Sequence, residues 1–456
     1  MAQRIIDTQT LRQTQTAAGS EEEAARKAPW SLRVLRSPDR SVVGGSYPIV
    51  PELTLGRLGG AQVSLVVGDP NLSRMHLSLR RCGNEAVLQV TDHESKNGTW
   101  LNGERLLGAV YAAAGAVLRM GNTLAVVEDA PAAGPDAADA AFLGASPATR
   151  LVVEQLRKLA PGNLPVLLEG ETGSGKEVAA RRLHDLSGRR GGYVAVNCAA
   201  LPEHLVESAL FGHVRGAFTG ATAENAGLVA AAAGGTLFLD EVGELPLELQ
   251  PKLLRLLENA EYAPVGSSRT LQCTARIVAA TNRSLHAEVE RGAFRLDLLA
   301  RLQGYRLELP PLRERRGDIL LLLERFWADS PLGRAGALTT EAAEALLLYG
   351  WPMNVRELRQ LAHRLALLHT GPDPIRAAAL PPEMRVPSRS LSVDPASAAE
   401  ALPRRGTPDR ETLIRLLRES GGNVQHLANV LHRDRKQVYR WLERYGIQPD
   451  DYREGG

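Results

Sequence analysis

Apolar residues along this chain are spaced in three different ways, and the spacing changes at identifiable points. Within residues 30–128 they fall in short runs (31–35, 53–55, 77–79, 86–90 and 124–127) separated by Gly, Pro, Asn and Asp. Short runs punctuated by turn residues predict an all-β sandwich. Within residues 142–382 longer apolar runs alternate with helical stretches. PVLLEG (165–170), YVAVNC (193–198), GTLFLDE (235–241) and ARIVAATN (275–282) read as buried strands, and the alternation predicts a mostly parallel sheet flanked by helices. Within residues 407–449 apolar positions recur at helical spacing in three segments. These break at Gly421 and Gly422 and again at His432 and Arg433, the layout of an all-α helix-turn-helix.

The stretches between these zones lack such patterning. Residues 1–29 are polar and Thr-rich and read as a disordered arm; 129–141 and 383–406 are rich in Ala, Pro and Ser and read as linkers. The chain is therefore expected to be multidomain, as its 456 residues also imply. A formal net charge of +2 argues against a whole-molecule electrostatic grip on nucleic acid, so any such grip must be local. Residues 404–444 supply one, with ten basic against five acidic side chains. Cys82, Cys198 and Cys273 are isolated and odd in number, so neither a disulfide framework nor a zinc site is expected, and all three read as buried thiols. No apolar run approaches the length of a membrane span and the N-terminus has no apolar leader, so a cytoplasmic protein without membrane contact is expected.

The chemistry concentrates in the middle zone. Gly170, Glu171, Thr172, Gly173, Ser174, Gly175, Lys176 and Glu177 form a glycine loop between a predicted strand and a predicted helix. Such a loop turns backbone N–H groups and a helix N-terminus toward phosphates, with the lysine reaching the β and γ oxygens of ATP. The generic motif closes on Ser or Thr, whereas Glu177 stands here. About seventy residues on, an apolar strand ends in Asp240 and Glu241. Asp240 is placed to hold Mg²⁺ and Glu241 to activate the attacking water. Between the two lies FGHVRGAFTGA (211–221), which phosphate chemistry does not require. Gly216, Ala217, Phe218, Thr219, Gly220 and Ala221 read as a glycine-flanked loop presenting an exposed Phe to a partner.

Taken in order, GETGSGKE, VNCAAL (196–201), FGHVRGAFTGA, GGTLFLDE, AATN (279–282), FRLDLLARL (294–302), LPPLRER (309–315) and NVRELRQ (354–360) resemble the AAA+ domain of bacterial enhancer-binding proteins, and the resemblance also accounts for Glu177. It implies a P-loop ATPase with an α-helical lid whose ring, a hexamer when active, remodels sigma-54 RNA polymerase holoenzyme. It further implies that Phe218 and Thr219 engage sigma-54 and that Asn197 restrains Glu241. Arg295 and Arg301 would act as arginine fingers on a neighbouring subunit, and Asn282 and Arg356 as sensors of the nucleotide. The family usually has Gly where Met353 stands, so a stiffened or shifted lid approach is expected. A ring acting on a client outside transcription is the alternative; the GAFTGA loop and the terminal helices argue against it.

The flanking zones carry resemblances of their own. LGR (55–57), LSRMH (72–76) and SKNGTWLNG (95–103) resemble, in order and spacing, the forkhead-associated (FHA) domain, a phosphothreonine-binding sandwich. Arg57, Ser73 and Arg74 would then face the phosphate and Asn97 the peptide backbone, while His76 and Asn102 would fix loop geometry. An Arg with a hydroxyl suits a dianionic phosphate. The ligand is either a phosphothreonine protein or Ser/Thr kinase, or the chain's own arm, where Thr8, Thr10, Thr14 and Thr16 lie. The C-terminal zone resembles the Fis-type helix-turn-helix, with Arg433, Arg435, Lys436, Gln437 and Arg440 as expected contacts to enhancer double-stranded DNA and Trp441 as core.

Overall fold

The computed structural model describes residues 30–60, 62–81, 87–130, 144–329, 336–369, 371 and 373–385, together with 413, 414, 442 and 445–447. The arm, the 131–143 part of the first linker, Cys82 and the expected DNA contacts lie outside the described residues.

The N-terminal strands are β1 (Ser31–Arg36), β2 (Ser46–Pro48), β3 (Glu52–Gly56), β4 (Leu65–Val66), β5 (Leu77–Arg81), β6 (Leu88–Asp92), β7 (Thr99–Leu101), β8 (Glu104–Arg105), β9 (Ala109–Ala112), β10 (Val117–Met120) and β11 (Thr123–Glu128). They form two sheets, ordered β2-β1-β11-β10-β7-β8 and β4-β3-β5-β6-β9. Leu53, Leu55, Leu77, Leu79, Leu88 and Val90 of one sheet pack on Leu32, Val34, Leu118, Met120 and Val127 of the other. Alternation along each strand sends these side chains inward, so the sandwich is the one the pattern predicts.

The α/β core follows: α1 (Pro147–Leu159), β12 (Val166–Glu169), α2 (Lys176–Leu186), β13 (Tyr193–Asn197), α3 (Glu203–Phe211), α4 (Gly227–Ala231), β14 (Thr236–Asp240), α5 (Gln250–Asn259), β15 (Glu261–Tyr262), β16 (Leu271–Gln272), β17 (Arg276–Thr281), α6 (Leu285–Glu290), α7 (Leu296–Leu302) and β18 (Tyr305–Glu308). The five-stranded sheet is ordered β13-β14-β17-β12-β18, all pairings parallel. Helix α1 begins where Ser146 caps it, its hydroxyl accepting from the Thr149 N–H, with Pro147 as first helical residue. The lid consists of α8 (Ile319–Ala328), α9 (Thr340–Leu348) and α10 (Asn354–Leu368).

The segment 312–318 joins core to lid and is held from both sides. Asp318, fully buried, accepts hydrogen bonds from the Ala145 and Ser146 amides (2.7 and 2.8 Å) and from the Ser146 and Thr149 hydroxyls (2.8 and 2.6 Å). A carboxylate so fully satisfied ties the start of the core to the root of the lid.

Packing of the sandwich on the lid was not predicted. Val117 and Leu124 of β10 and β11 belong to the same buried cluster as Leu346, Leu347, Leu358 and Trp351. Arg33 and Glu128 pair at 2.7 Å, almost wholly buried, beside this junction. Removing one member of such a pair typically costs about 3–5 kcal/mol, because the other charge is left buried and alone.

Cys198 is buried and Cys273 only half-buried, so the expectation of buried thiols holds for the first and is softened for the second. Burial pushes the Cys198 thiol up to about 12, which leaves it protonated and inert. Among the described residues no group of His, Cys, Asp and Glu forms a metal cage, and no helix is long and apolar enough to cross a membrane.

Candidate active site

The carboxyl ends of four neighbouring parallel strands converge at one edge of the core, the place where α/β sheets bind ligands. Beyond β12 runs the loop Gly170–Gly175; β13 ends on Asn197, β14 on Asp240 with Glu241 following, and β17 on Thr281 with Asn282 following. Asn197 and Asp240 are register partners across the sheet.

The glycine loop is built as its sequence requires. Gly173 and Gly175 have φ of 76° and 109°, and a Cβ on Gly173 would collide with the Met353 carbonyl of the lid. Lys176 opens α2 and turns its ammonium back onto the loop, donating to the Gly170 carbonyl at 3.0 Å. Its Nζ stands 3.9 Å from Glu241 Oε1. Burial pulls the Lys176 ammonium below its ordinary value; Glu241 and Asp240 oppose that, and the charge of Arg356 adds to it. The Ser174 hydroxyl is buried without a hydrogen-bond partner. The charges of Lys176 and Arg356 and an orphaned hydroxyl, on a glycine loop that opens a helix, fit a polyphosphate.

Glu241 adopts φ 51°, ψ 49°, a backbone conformation sparsely populated by residues other than Gly, Asn and Asp. Its Oε2 accepts the Asn282 amide at 3.2 Å, and Asn282 Nδ2 donates to the Thr172 hydroxyl at 2.9 Å. Glu241 therefore faces the glycine loop. Asn197 points elsewhere: its Oδ1 accepts from the Ala199 amide at 2.9 Å, capping a short turn.

Two features escaped the sequence reading. The Glu171 side chain is engaged within the chain: its carboxylate is taken by a two-pronged contact from Arg313 (2.8 and 2.6 Å) and by Asn354 Nδ2 (3.0 Å). The Arg313 guanidinium holds the Glu171 carboxyl at about 2, well below its ordinary value, with Asn354 adding to the effect. Arg315, almost wholly buried, donates to the Ser174 carbonyl at 2.5 Å. Lid and joining segment thus grip the loop directly. The only available signal was charge density in LPPLRER, which does not say where the charges point.

Met353 departs from the expected consequence. Its φ is −103°, a conformation open to any residue, and its side chain is exposed. The left-handed positions in this turn are Trp351 (50°) and Asn354 (52°). Asn tolerates that region well, so Met353 needs no adjustment of the lid. Arg356, one turn on, lies against Gly173. Glu177 is exposed on the first turn of α2.

The 211–221 loop closes on itself through the Gly216 amide to the Ala221 carbonyl (2.8 Å) and the Ala221 amide to the Phe218 carbonyl (3.0 Å). Gly216 and Gly220 take φ of 82° and 101°; Phe218 is 41% exposed, its ring edge-on to His213 at 5.0 Å. Ala217 packs near Gly266, Thr219 is exposed at the tip, and Ala221 is buried. Arg295 and Arg301 are both exposed, paired with Asp297 (2.7 Å) and Glu258 (2.9 Å) on the surface of α7 and α5.

In the sandwich, Arg57 and Arg74 are exposed on adjacent loops, since Gly56 abuts the Arg74 backbone and the Arg57 amide donates to the Ser73 carbonyl at 2.9 Å. The Ser73 hydroxyl accepts from the Lys96 amide (3.1 Å), and Asn97 Nδ2 donates to the Asn71 carbonyl (2.8 Å). Buried His76 accepts the Ser73 amide on Nδ1, and Asn102 Oδ1 accepts the Val117 amide, so both brace loops. Burial lowers the His76 pKa, which suits a neutral acceptor.

Fold and site together define an AAA+ ATPase core with a lid and an N-terminal FHA sandwich. The Sigma-54 interaction domain family matches residues 142–308, the AAA+ ATPase lid domain family 313–396 and the FHA domain family 53–121. Among relatives, the nitric oxide reductase transcription regulator NorR1 of Cupriavidus necator is 44% identical over 68% of this chain and 64% of its own. Regulatory protein AtoC of Escherichia coli is 40% identical over 67% of this chain and 68% of its own. The crystal structure of NtrX from Brucella abortus is similar with TM-score 0.50 and 29% identity over 67% of this chain and 70% of that one. The chain belongs to the sigma-54-dependent transcriptional regulators. It spans about 64% of the length of the NorR1 relative.

Proposed function

We propose that the chain is an ATP-driven activator that opens promoters held by sigma-54 RNA polymerase holoenzyme and that answers to phosphothreonine. The observation that carries this reading is the meeting of Lys176, Glu241 and Asn282 at the glycine loop, in a domain whose self-closed 216–221 loop presents Phe218 and Thr219. Gly170–Lys176 amides and the Lys176 ammonium receive the phosphates of ATP, Arg356 adds charge from the lid, and Asn282 orients Glu241. Asp240 would hold Mg²⁺, which when bound would neutralise charge developing on the phosphates. Glu241 takes the proton of the attacking water. Asn197, on the neighbouring strand, would draw Glu241 aside before hydrolysis by turning from the Ala199 amide that its Oδ1 now accepts.

Arg295 and Arg301 act across a subunit boundary, which makes a homo-oligomer, a hexamer when active, the working form. Arg433, Arg435, Lys436, Gln437 and Arg440 bind enhancer double-stranded DNA. Arg57, Ser73, Arg74 and Asn97 bind a phosphothreonine protein, a Ser/Thr kinase or the chain's own arm. A cytoplasmic location follows from the role.

The test is open-complex formation on a sigma-54 promoter with hydrolysable ATP. Wild type should open the promoter, and Thr219→Ala should hydrolyse ATP at a near wild-type rate yet fail to open it. Hydrolysis by wild type without opening would sink the activator reading. For the sandwich, a phosphothreonine peptide library should be retained by wild type and released by Arg57→Ala; equal retention would exclude the pocket.

A further inference from the structure

One hairpin, β10–β11, has the candidate phosphopeptide loops on one side and the ATPase lid on the other. On the lid side, Arg119 lies over the Trp100 ring, 3.7 Å from its centroid, and its Nε donates to Glu344 Oε2 of α9 at 2.7 Å. Arg36, on the neighbouring β1, donates to the Leu338 carbonyl at 2.5 Å, and Val117 and Leu124 enter the lid's apolar cluster. On the loop side, the turn at Gly121 and Asn122 rests on residues 69–71. Buried Asp69 accepts the Asn122 amide (2.7 Å) and the Thr123 hydroxyl (3.0 Å) on Oδ2 and the Asn71 amide (3.0 Å) on Oδ1. A Cβ on Gly121 would lie 2.9 Å from that of Asn71. The Asn71 carbonyl in turn holds Asn97, and Trp100 follows Asn97 by three residues.

The sandwich also reaches the joint between lid and core. Arg316 donates to the Gly115 carbonyl at 2.8 Å. Gly317 sits where a Cβ would meet Glu128 Oε1 at 3.4 Å, Arg33 Cδ at 3.5 Å and Ser146 Cβ at 3.6 Å. The charges of Arg33 and Glu128 act on Arg150 of α1 in the core. A rigid body in contact with both a lid and its hinge opposes a change of angle between lid and core. A lid that carries Arg356 to the nucleotide must make such changes as the nucleotide changes.

We propose that the β10–β11 hairpin is a brake: docked on α9 it holds the lid and restrains ATP hydrolysis, and phosphothreonine binding releases it through the Asp69 loop. The release half rests on the phosphothreonine reading above; the brake does not.

The experiment measures steady-state ATP hydrolysis by the full chain, per protomer, across a series of protein concentrations. Arg119→Glu and Glu344→Arg, made singly, should each raise the rate by about fivefold or more, and the double exchange should return it to within about twofold of wild type. Amide hydrogen exchange over 340–348 should quicken in the single variants and slow again in the double. Single variants with wild-type or reduced rates overturn the brake, as does a double variant no slower than the singles. A phosphothreonine peptide library added to wild type should raise its rate toward that of Arg119→Glu and leave Arg119→Glu unchanged. Peptides that bind without raising the wild-type rate overturn the release half. Peptides that fail to bind overturn the phosphothreonine reading instead, and the charge exchange still decides the brake.

Discussion

A chain carrying Glu241→Gln is expected to bind ATP with near wild-type affinity and to hydrolyse it about 10²–10⁴-fold more slowly, the range that positioned acid–base groups supply. The substitution preserves shape. An amide oxygen can still accept the Asn282 N–H that Glu241 Oε2 accepts at 3.2 Å, and the left-handed backbone at 241 is no worse for Gln. What is lost is the basicity that takes a proton from water. Lys176→Ala should behave oppositely, because the lost ammonium touches phosphate rather than water, and nucleotide binding itself should disappear. Titration with a fluorescent ATP analogue alongside phosphate release separates the two. A Glu241→Gln protein hydrolysing within about tenfold of wild type would remove Glu241 from the chemistry.

The parts of this site that could be read in the sequence are those made by neighbours along the chain. The glycine loop compresses its logic into eight residues between a strand and a helix, and Asp240 and Glu241 end a strand whose apolar run is unmistakable. Parallel strands then bring such ends together whatever the loops do. The contacts that escaped are long-range. Arg313 finds Glu171 across 142 residues and Asn354 finds it across 183. No periodicity records such a pairing, so the part the Glu171 side chain plays as a clamp between loop and lid was not legible.

The sandwich illustrates the same limit at domain scale. Its strands were legible because alternation fixes which face is buried, and its loops because their motifs are local. Its second interface was not, since Val117 and Leu124 look like any inward-facing strand residues and Arg119 like any surface charge. Only the fold shows that Arg119 meets a carboxylate 225 residues away. Met353 is the converse case, where a substitution in a local pattern suggested strain that the backbone places on Trp351 and Asn354 instead.

Arg301→Ala is expected to lower hydrolysis by about 10³–10⁵-fold while leaving ATP binding nearly intact, the range associated with an arginine supplied in trans to a phosphoryl group. Within one chain this arginine is on the outside, 60% exposed and paired with Glu258, so its removal leaves no buried charge behind. An exposed pair of this kind contributes little to folding, typically under about 1 kcal/mol. A large loss of activity would therefore have to arise at a neighbour's site. Mixing supplies the decisive measurement. Protomers with Lys176→Ala bind no nucleotide but keep their arginines, whereas Arg301→Ala protomers keep the loop and lack the finger. Each is inactive alone, yet a mixed ring contains boundaries where an intact loop faces an intact arginine, and hydrolysis should reappear there. The same mixture made with Arg295→Ala tests the second candidate, which pairs with Asp297 two residues away. Recovery with one arginine variant and not the other would identify which of them crosses the boundary. If neither mixture recovers while both assemble, the arginines act within their own subunit and the trans assignment fails.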